Sequence, residues 1–216
     1  MIGQTPQPTT AEAGPVIPYP DEAGMTADAR ALLNDTAAML GVVPNAPRTY
    51  LHRPDIARAI DGMYRSIVLS DQSTLPVALK IKLGVICSSV NGCVYCTSHQ
   101  CSLAQKGAGG ASWGLSDDEL AALISGRDTG ATALEQLCFD FARSASFSAP
   151  DVSLSLLEQL KAHLTLPQIV ELGCVVSMGK FFNTMHDSLH IPSESGMAHY
   201  ADVIAAGRGD AAPAAA

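Results

Sequence analysis

Aromatic side chains are scarce in this chain: phenylalanine, tyrosine and tryptophan make up 5% of its 216 residues, with a single tryptophan. Strands favour aromatic and β-branched residues, so the shortage, beside abundant alanine, points to closely packed helices rather than a sheet-rich sandwich. Clusters of positive charge are missing too. The 13 lysines and arginines form no run and face 21 acidic residues, for a net charge of −8 and a pI near 5.1. Nucleic-acid binding draws its affinity from clustered cations that displace counterions, so an acidic chain of this kind is not expected to bind a polyanion. No apolar stretch reaches the about 18 residues that suggest a membrane span. Residues 1–22 hold neither the basic nor the apolar region of a secretory signal, and a cytoplasmic location is the expectation.

Helix punctuation dominates what is present. Thr26 stands before an apolar-periodic run that ends at Gly41, and Pro54-Asp55 opens a second run through Ile67. Thr74-Leu75-Pro76 starts a third, which Asn91-Gly92 breaks before a cysteine-bearing helix that closes at Gly107 and Gly109-Gly110. Ser116-Asp117-Asp118-Glu119 reads as a capping box with acidic residues in the first turn. Residues 131–146, 151–164 and Pro167 to about His190 give three further helices. Thr165-Leu166-Pro167 echoes Thr74-Leu75-Pro76, an echo that either a helix-hairpin duplication or a shared helix-start chemistry explains. The expected organisation is a disordered tail over 1–24, one helical domain over 25–195, and a mobile tail over 196–216, where alanine, glycine and proline lower the complexity.

Reactive groups concentrate in Gly92-Cys93-Val94-Tyr95-Cys96-Thr97-Ser98-His99. Residues three apart on a helix share a face, so Cys93, Cys96 and His99 form one stripe with the sulfurs close enough to join or part. Helix N-termini lower a cysteine pKa through unpaired N–H groups and the dipole. A histidine one turn on accepts the thiol proton or stabilises the thiolate. The first sulfur would attack a peroxide or disulfide, and its neighbour would resolve the product by closing a disulfide. Two other readings of the pair stay open. C-x2-C is half of many zinc sites, with Cys93, Cys96 and His99 as three ligands and His186 or His190 as a fourth; paired cysteines also serve as small apolar packing residues. The latter is the reading given to Cys87, Cys101, Cys138 and Cys174.

The run Asn91 to His99, with Ala104, Gly107 and Leu115 to Glu119, resembles the alkylhydroperoxidase D-like and carboxymuconolactone decarboxylase-like superfamily. Pro44-Asn45-Ala46-Pro47 upstream and Phe182-Asn183 with Asp187-Ser188-Leu189-His190-Ile191-Pro192 downstream extend the resemblance over about residues 25–195. It implies an all-α helical bundle, a homo-oligomer of trimeric or hexameric type, and no metal or organic cofactor. For members with two cysteines it implies a thiol peroxidase or disulfide reductase that takes a small hydroperoxide and is recharged by a dithiol reductant or reducing protein. Cys96 matches the peroxide-reacting cysteine, and Cys93 the resolving partner that exchanges with the external dithiol. Two positions depart from the pattern: Ile81 stands where the relay glutamate lies, and Gln100 where the usual histidine lies. The expected substitutes are His99 itself, Glu171 or His186 from the last long helix, and Tyr95 and Gln100 as relay or pocket residues. The loss of the glutamate also leaves room for a lyase or hydratase acting on a small organic acid or lactone, or a non-enzymatic redox-sensing oligomer.

Overall fold

A computed structural model of the protein describes residues 14–40, 43–107, 113–127 and 129–209. Among these the regular structure is helical, without strands: α1 (Ala27–Leu40), α2 (Asn45–Tyr50), α3 (Pro54–Tyr64), α4 (Val77–Val90), α5 (Val94–Lys106), α6 (Asp117–Ser125), α7 (Ala133–Phe147), α8 (Leu154–Lys161), α9 (Leu166–Ser188) and α10 (His199–Gly209). A π-helical turn, Arg65–Leu69, continues α3. Ser116 and Thr132 close capping boxes at the starts of α6 and α7, each satisfying backbone donors that the first helical turn leaves unpaired.

Helix α4 is the axis of the bundle, packed against α5, α6, α7 and α9. Leu83, Val85 and Ile86 are fully enclosed there with Leu120, Leu123, Leu160 and Leu172. An apolar residue on every side of α4 follows from burial all round. Its one enclosed cation, Lys80, donates to Ile67 O at 2.6 Å and Ser73 Oγ at 2.5 Å and pairs with Glu171. A second, smaller core joins Ala29, Leu33, Tyr50, Ala57 and Ile60 of α1–α3 to Cys93, Tyr95 and Cys96. Phe182 on α9 packs against both cores.

Two terminal expectations are corrected. Within 196–216, expected to be mobile, residues 199–209 form α10 against α6 and α5. Tyr200, Val203, Ile204 and Gly207 are its buried residues, a helical i, i+3, i+4, i+7 stripe hidden in a low-complexity composition. Gly207 permits the contact, since a Cβ there would meet Ile124 Cγ2 at 2.6 Å. Near the other end, His52 bonds Pro18 O at 2.7 Å, and Arg48 lies over the Tyr19 ring at 4.5 Å, so residues 18 and 19 of the expected tail are tied down. Residues 1–13 and 210–216, Gly41 and Gly109-Gly110 lie outside the described residues. The helical echo ends early: α4 stops before Asn91, whereas α9 runs unbroken through Phe182, the residue that the echo pairs with Asn91.

Candidate active site

Gly92 turns the chain from α4 into α5 at φ +81°, a left-handed conformation that glycine adopts without steric cost. Cys93 is the N-cap of α5: its Sγ accepts the Cys96 N–H at 3.3 Å. The two sulfurs and the Nδ1 of His186, on the last turn of α9, lie within 4.8 Å of one another. Cys96 Sγ and His186 Nδ1 are 3.0 Å apart. On the far side of the ring, His186 Nε2 is hydrogen-bonded to the Tyr50 hydroxyl.

These contacts divide the thiols. The Cys93 thiol hydrogen bond to the neighbouring sulfur, opposed by burial and reinforced by His186, holds Cys96 well below the ordinary thiol pKa. The same bond, with burial and the adjacent thiolate, pushes Cys93 far up. Cys93 is 0% exposed and Cys96 6%, and Cys96, but not Cys93, lines the cavity beside them. Burial, then the charge of the neighbouring Cys96 thiolate, raises the Tyr50 pKa, so that its hydroxyl stays protonated and can donate to Nε2. A neutral His186 ring then carries its proton on Nδ1, facing the Cys96 sulfur.

His99 makes a different pair. Its Nε2 lies 2.8 Å from Glu194 Oε2, and Glu194 Oε1 accepts from Tyr95 Oη at 3.1 Å and Asn45 N at 2.5 Å. Burial would raise the Glu194 pKa, but the bonds from His99 and Asn45 bring it below the usual carboxylate value. The Tyr95 ring is packed between the histidines, its centroid 4.5 Å from His99 and 4.9 Å from His186.

The cavity holds about 160 Å³ and sits at the seam of the two cores, walled by Leu32, Ile60, Ile81, Val175, Met178 and Phe182, with Cys96, His99, Gln100 and His186 also facing it. Ile81 thus turns the expected relay position into an apolar wall. The Gln100 side chain fits against α4 because residue 84 is glycine, where a Cβ would lie 2.7 Å from the amide carbon. Its Oε1 is buried without a hydrogen-bond partner.

Of the expected site residues, Cys93, Cys96 and His186 come together, Tyr95 and His99 form the adjoining layer, and Gln100 lines the cavity. Glu171 does not approach His99; its carboxylate is bound to Lys80, Ser73 and the Thr74 N–H. Glu171 lies fifteen residues before His186 on one continuous helix, about 22 Å along its axis. The zinc set is revised as well, because His186 replaces His99 beside the thiols. Direct exchange of Cys93 with an outside dithiol is not open in this conformation, given its complete burial. Sequence reasoning missed Tyr50 and Glu194. Each lies close to a segment that the resemblance singled out, Pro44–Pro47 and Asp187–Pro192, but nothing in the residues themselves marks them.

By sequence, the chain matches no family model and no curated protein. Its fold is shared with solved structures. A variant of the debrominase Bmp8 in complex with 2,3,4-tribromopyrrole aligns with a TM-score of 0.75 at 19% identity, covering 88% of this chain and 98% of that one. The alkylhydroperoxidase AhpD core of an uncharacterised peroxidase-related protein from Ralstonia eutropha JMP134 aligns with a TM-score of 0.65 at 20% identity, covering 88% and 95%. An uncharacterised peroxidase-related protein from Silicibacter sp. TM1040 aligns with a TM-score of 0.69 at 16% identity, covering 91% and 97%.

Proposed function

We propose that this chain, whose all-helical fold is alkylhydroperoxidase D-like, is a thiol-dependent oxidoreductase in which Cys96 attacks a hydroperoxide and Cys93 resolves the product. The observation that carries the reading is the Cys96 sulfur, 3.0 Å from His186 Nδ1, on the wall of an apolar cavity. His186, oriented by Tyr50, and the Cys93 thiol keep the Cys96 sulfur ionised. The thiolate attacks the terminal peroxide oxygen, the O–O bond breaks, and the departing alkoxide takes a proton from His99, which Glu194 holds in place by a hydrogen bond. Cys96 is now a sulfenic acid. Cys93 displaces its hydroxyl as water, forming the Cys93–Cys96 disulfide, and two electrons from a dithiol reductant restore both thiols. Positioned proton transfer of this kind contributes about 10²–10⁴-fold.

The cavity also supports a second reading, reductive removal of halogen from an aromatic ring. Tyr50, Tyr95 and Phe182 line it, and the fold is that of a debrominase observed with a tribrominated pyrrole. Both readings use the same dithiol, and one experiment separates them. Reduced protein is supplied with dithiothreitol and either cumene hydroperoxide or a polybrominated pyrrole, and peroxide loss and bromide release are followed for wild type, Cys93→Ser and Cys96→Ser. Peroxide turnover that both substitutions abolish supports the first reading; bromide release without peroxide turnover replaces it with the second. The chain is also proposed to act as a homo-oligomer, which light scattering on the purified protein tests.

A further inference from the structure

The folded chain brings together a donor set that spacing alone had assigned differently. Cys93 Sγ, Cys96 Sγ and His186 Nδ1 lie within 4.8 Å of one another on three buried residues, while His99 Nε2 is committed to Glu194. Zinc bonds thiolate sulfur at about 2.3 Å and imidazole nitrogen at about 2.0–2.1 Å, so a tetrahedral ion holds neighbouring donors about 3.5–3.8 Å apart. Cys96 Sγ and His186 Nδ1, now 3.0 Å apart, need only open slightly. We infer that the reduced dithiol and His186 form a three-donor zinc site with its fourth position toward the cavity, and that zinc capture and disulfide formation exclude each other.

The surroundings are those a zinc site needs. Histidine ligands are oriented by a hydrogen bond at the other ring nitrogen, and His186 Nε2 has Tyr50 there. With the metal on Nδ1, the ring proton moves to Nε2 and is donated to Tyr50 Oη. The Cys96 N–H already points at Cys93 Sγ, which tempers the charge of a thiolate ligand. Cys96 and His186 line the cavity and Cys93 stands behind them, leaving the remaining coordination position on the cavity side. Three protein ligands with an open position are the pattern of reactive rather than purely structural zinc. Capture displaces the protons still held by the two thiols. Oxidation reverses it: both Zn–S bonds break, the S–S bond forms, and the two electrons reduce the azo bond of an oxidant such as diamide to a hydrazine with two protons from solvent.

The test titrates reduced full-length protein with zinc alone against a chromogenic chelator, and it does not depend on peroxidase activity. The expected result is one zinc per chain bound with a Kd below about 1 μM. Alkylation of Cys96 by iodoacetamide should slow at least tenfold, and diamide should release the ion as the disulfide forms. His186→Ala should weaken binding at least tenfold, and His190→Ala should leave it unchanged. If His186→Ala loses its helical circular dichroism, Cys93→Ser takes its place with the same expected loss. Affinity that is equal with and without His186, or with and without Cys93 where that variant stands in, overturns the inference, as do Cys96 alkylation at the unligated rate in the presence of zinc and wild-type protein that retains no zinc at micromolar concentration.

Discussion

The bundle around α4 and the cap made by α1–α3 are built to different ends. In the bundle, Leu83, Leu120, Leu160 and Leu172 are fully enclosed in a continuous core. The cap encloses far less: its core is a handful of side chains that close over the dithiol, and its helices pack on one another and on the π-helical turn more than on the bundle. Stability and chemistry are therefore divided between the two, and the cavity lies where they meet. A substitution in the bundle should lower folding free energy and spare the chemistry of each folded molecule; one in the cap or at the seam should do the reverse.

Cys96→Ser breaks the contrast most sharply, removing turnover altogether while leaving the thermal midpoint within a few degrees, as paired activity and melting measurements will read. Leu120→Ala is the complementary case. Truncating an enclosed leucine costs about 2–5 kcal/mol, visible in urea unfolding, with kcat/KM per folded molecule unchanged. Ile60→Ala, in the cavity wall of the cap, should cost less stability and raise the KM for a bulky hydroperoxide.

His186→Asn comes next, with a loss of about 10²-fold in kcat/KM. It also sharpens the electrostatic side of the comparison. Ordinary thiols titrate near about 8.5, and the depressed pKa of Cys96 keeps its sulfur ionised below that value. The stabilisation from this shift is therefore complete above about 8.5 and fades as pH falls through the lower folded-state value. In metal-free wild type, alkylation of Cys96 should hold its rate from pH 8.5 down past neutrality; in His186→Asn the midpoint should move up. Glu194→Gln is the smallest effect, about tenfold in rate, because it loosens the hydrogen bond that positions His99 and leaves the sulfur ionised.

Much of this division was legible beforehand, and for identifiable reasons. Local rules marked the Ser116 capping box, the Gly92 break and the placing of Cys93 at a helix start, since each depends on residues within one turn. His186 was named among the candidates, but its place beside Cys96 depends on how α9 lies against α5, ninety residues apart in sequence. His99 illustrates the converse. Its spacing puts it on the face of Cys96, yet the histidine turns to Glu194, which sits in the short non-helical connection between α9 and the Ser195–Met197 turn, where no helical period marks a position. Tyr50 was invisible for the same reason: it ends a short helix containing Pro47, too brief for a hydrophobic period to show. Helix α10 escaped because four buried positions sit among alanines and glycines that read as a tail.

The most direct test of the account is a single turnover of the reduced, metal-free protein with one equivalent of cumene hydroperoxide, quenched and mapped by mass spectrometry. The account predicts a Cys93–Cys96 disulfide in wild type and a sulfenic acid on Cys96 in Cys93→Ser. Peroxide left unconsumed with both thiols intact, or oxidation that falls on Cys93 when Cys96 is replaced by serine, would contradict it.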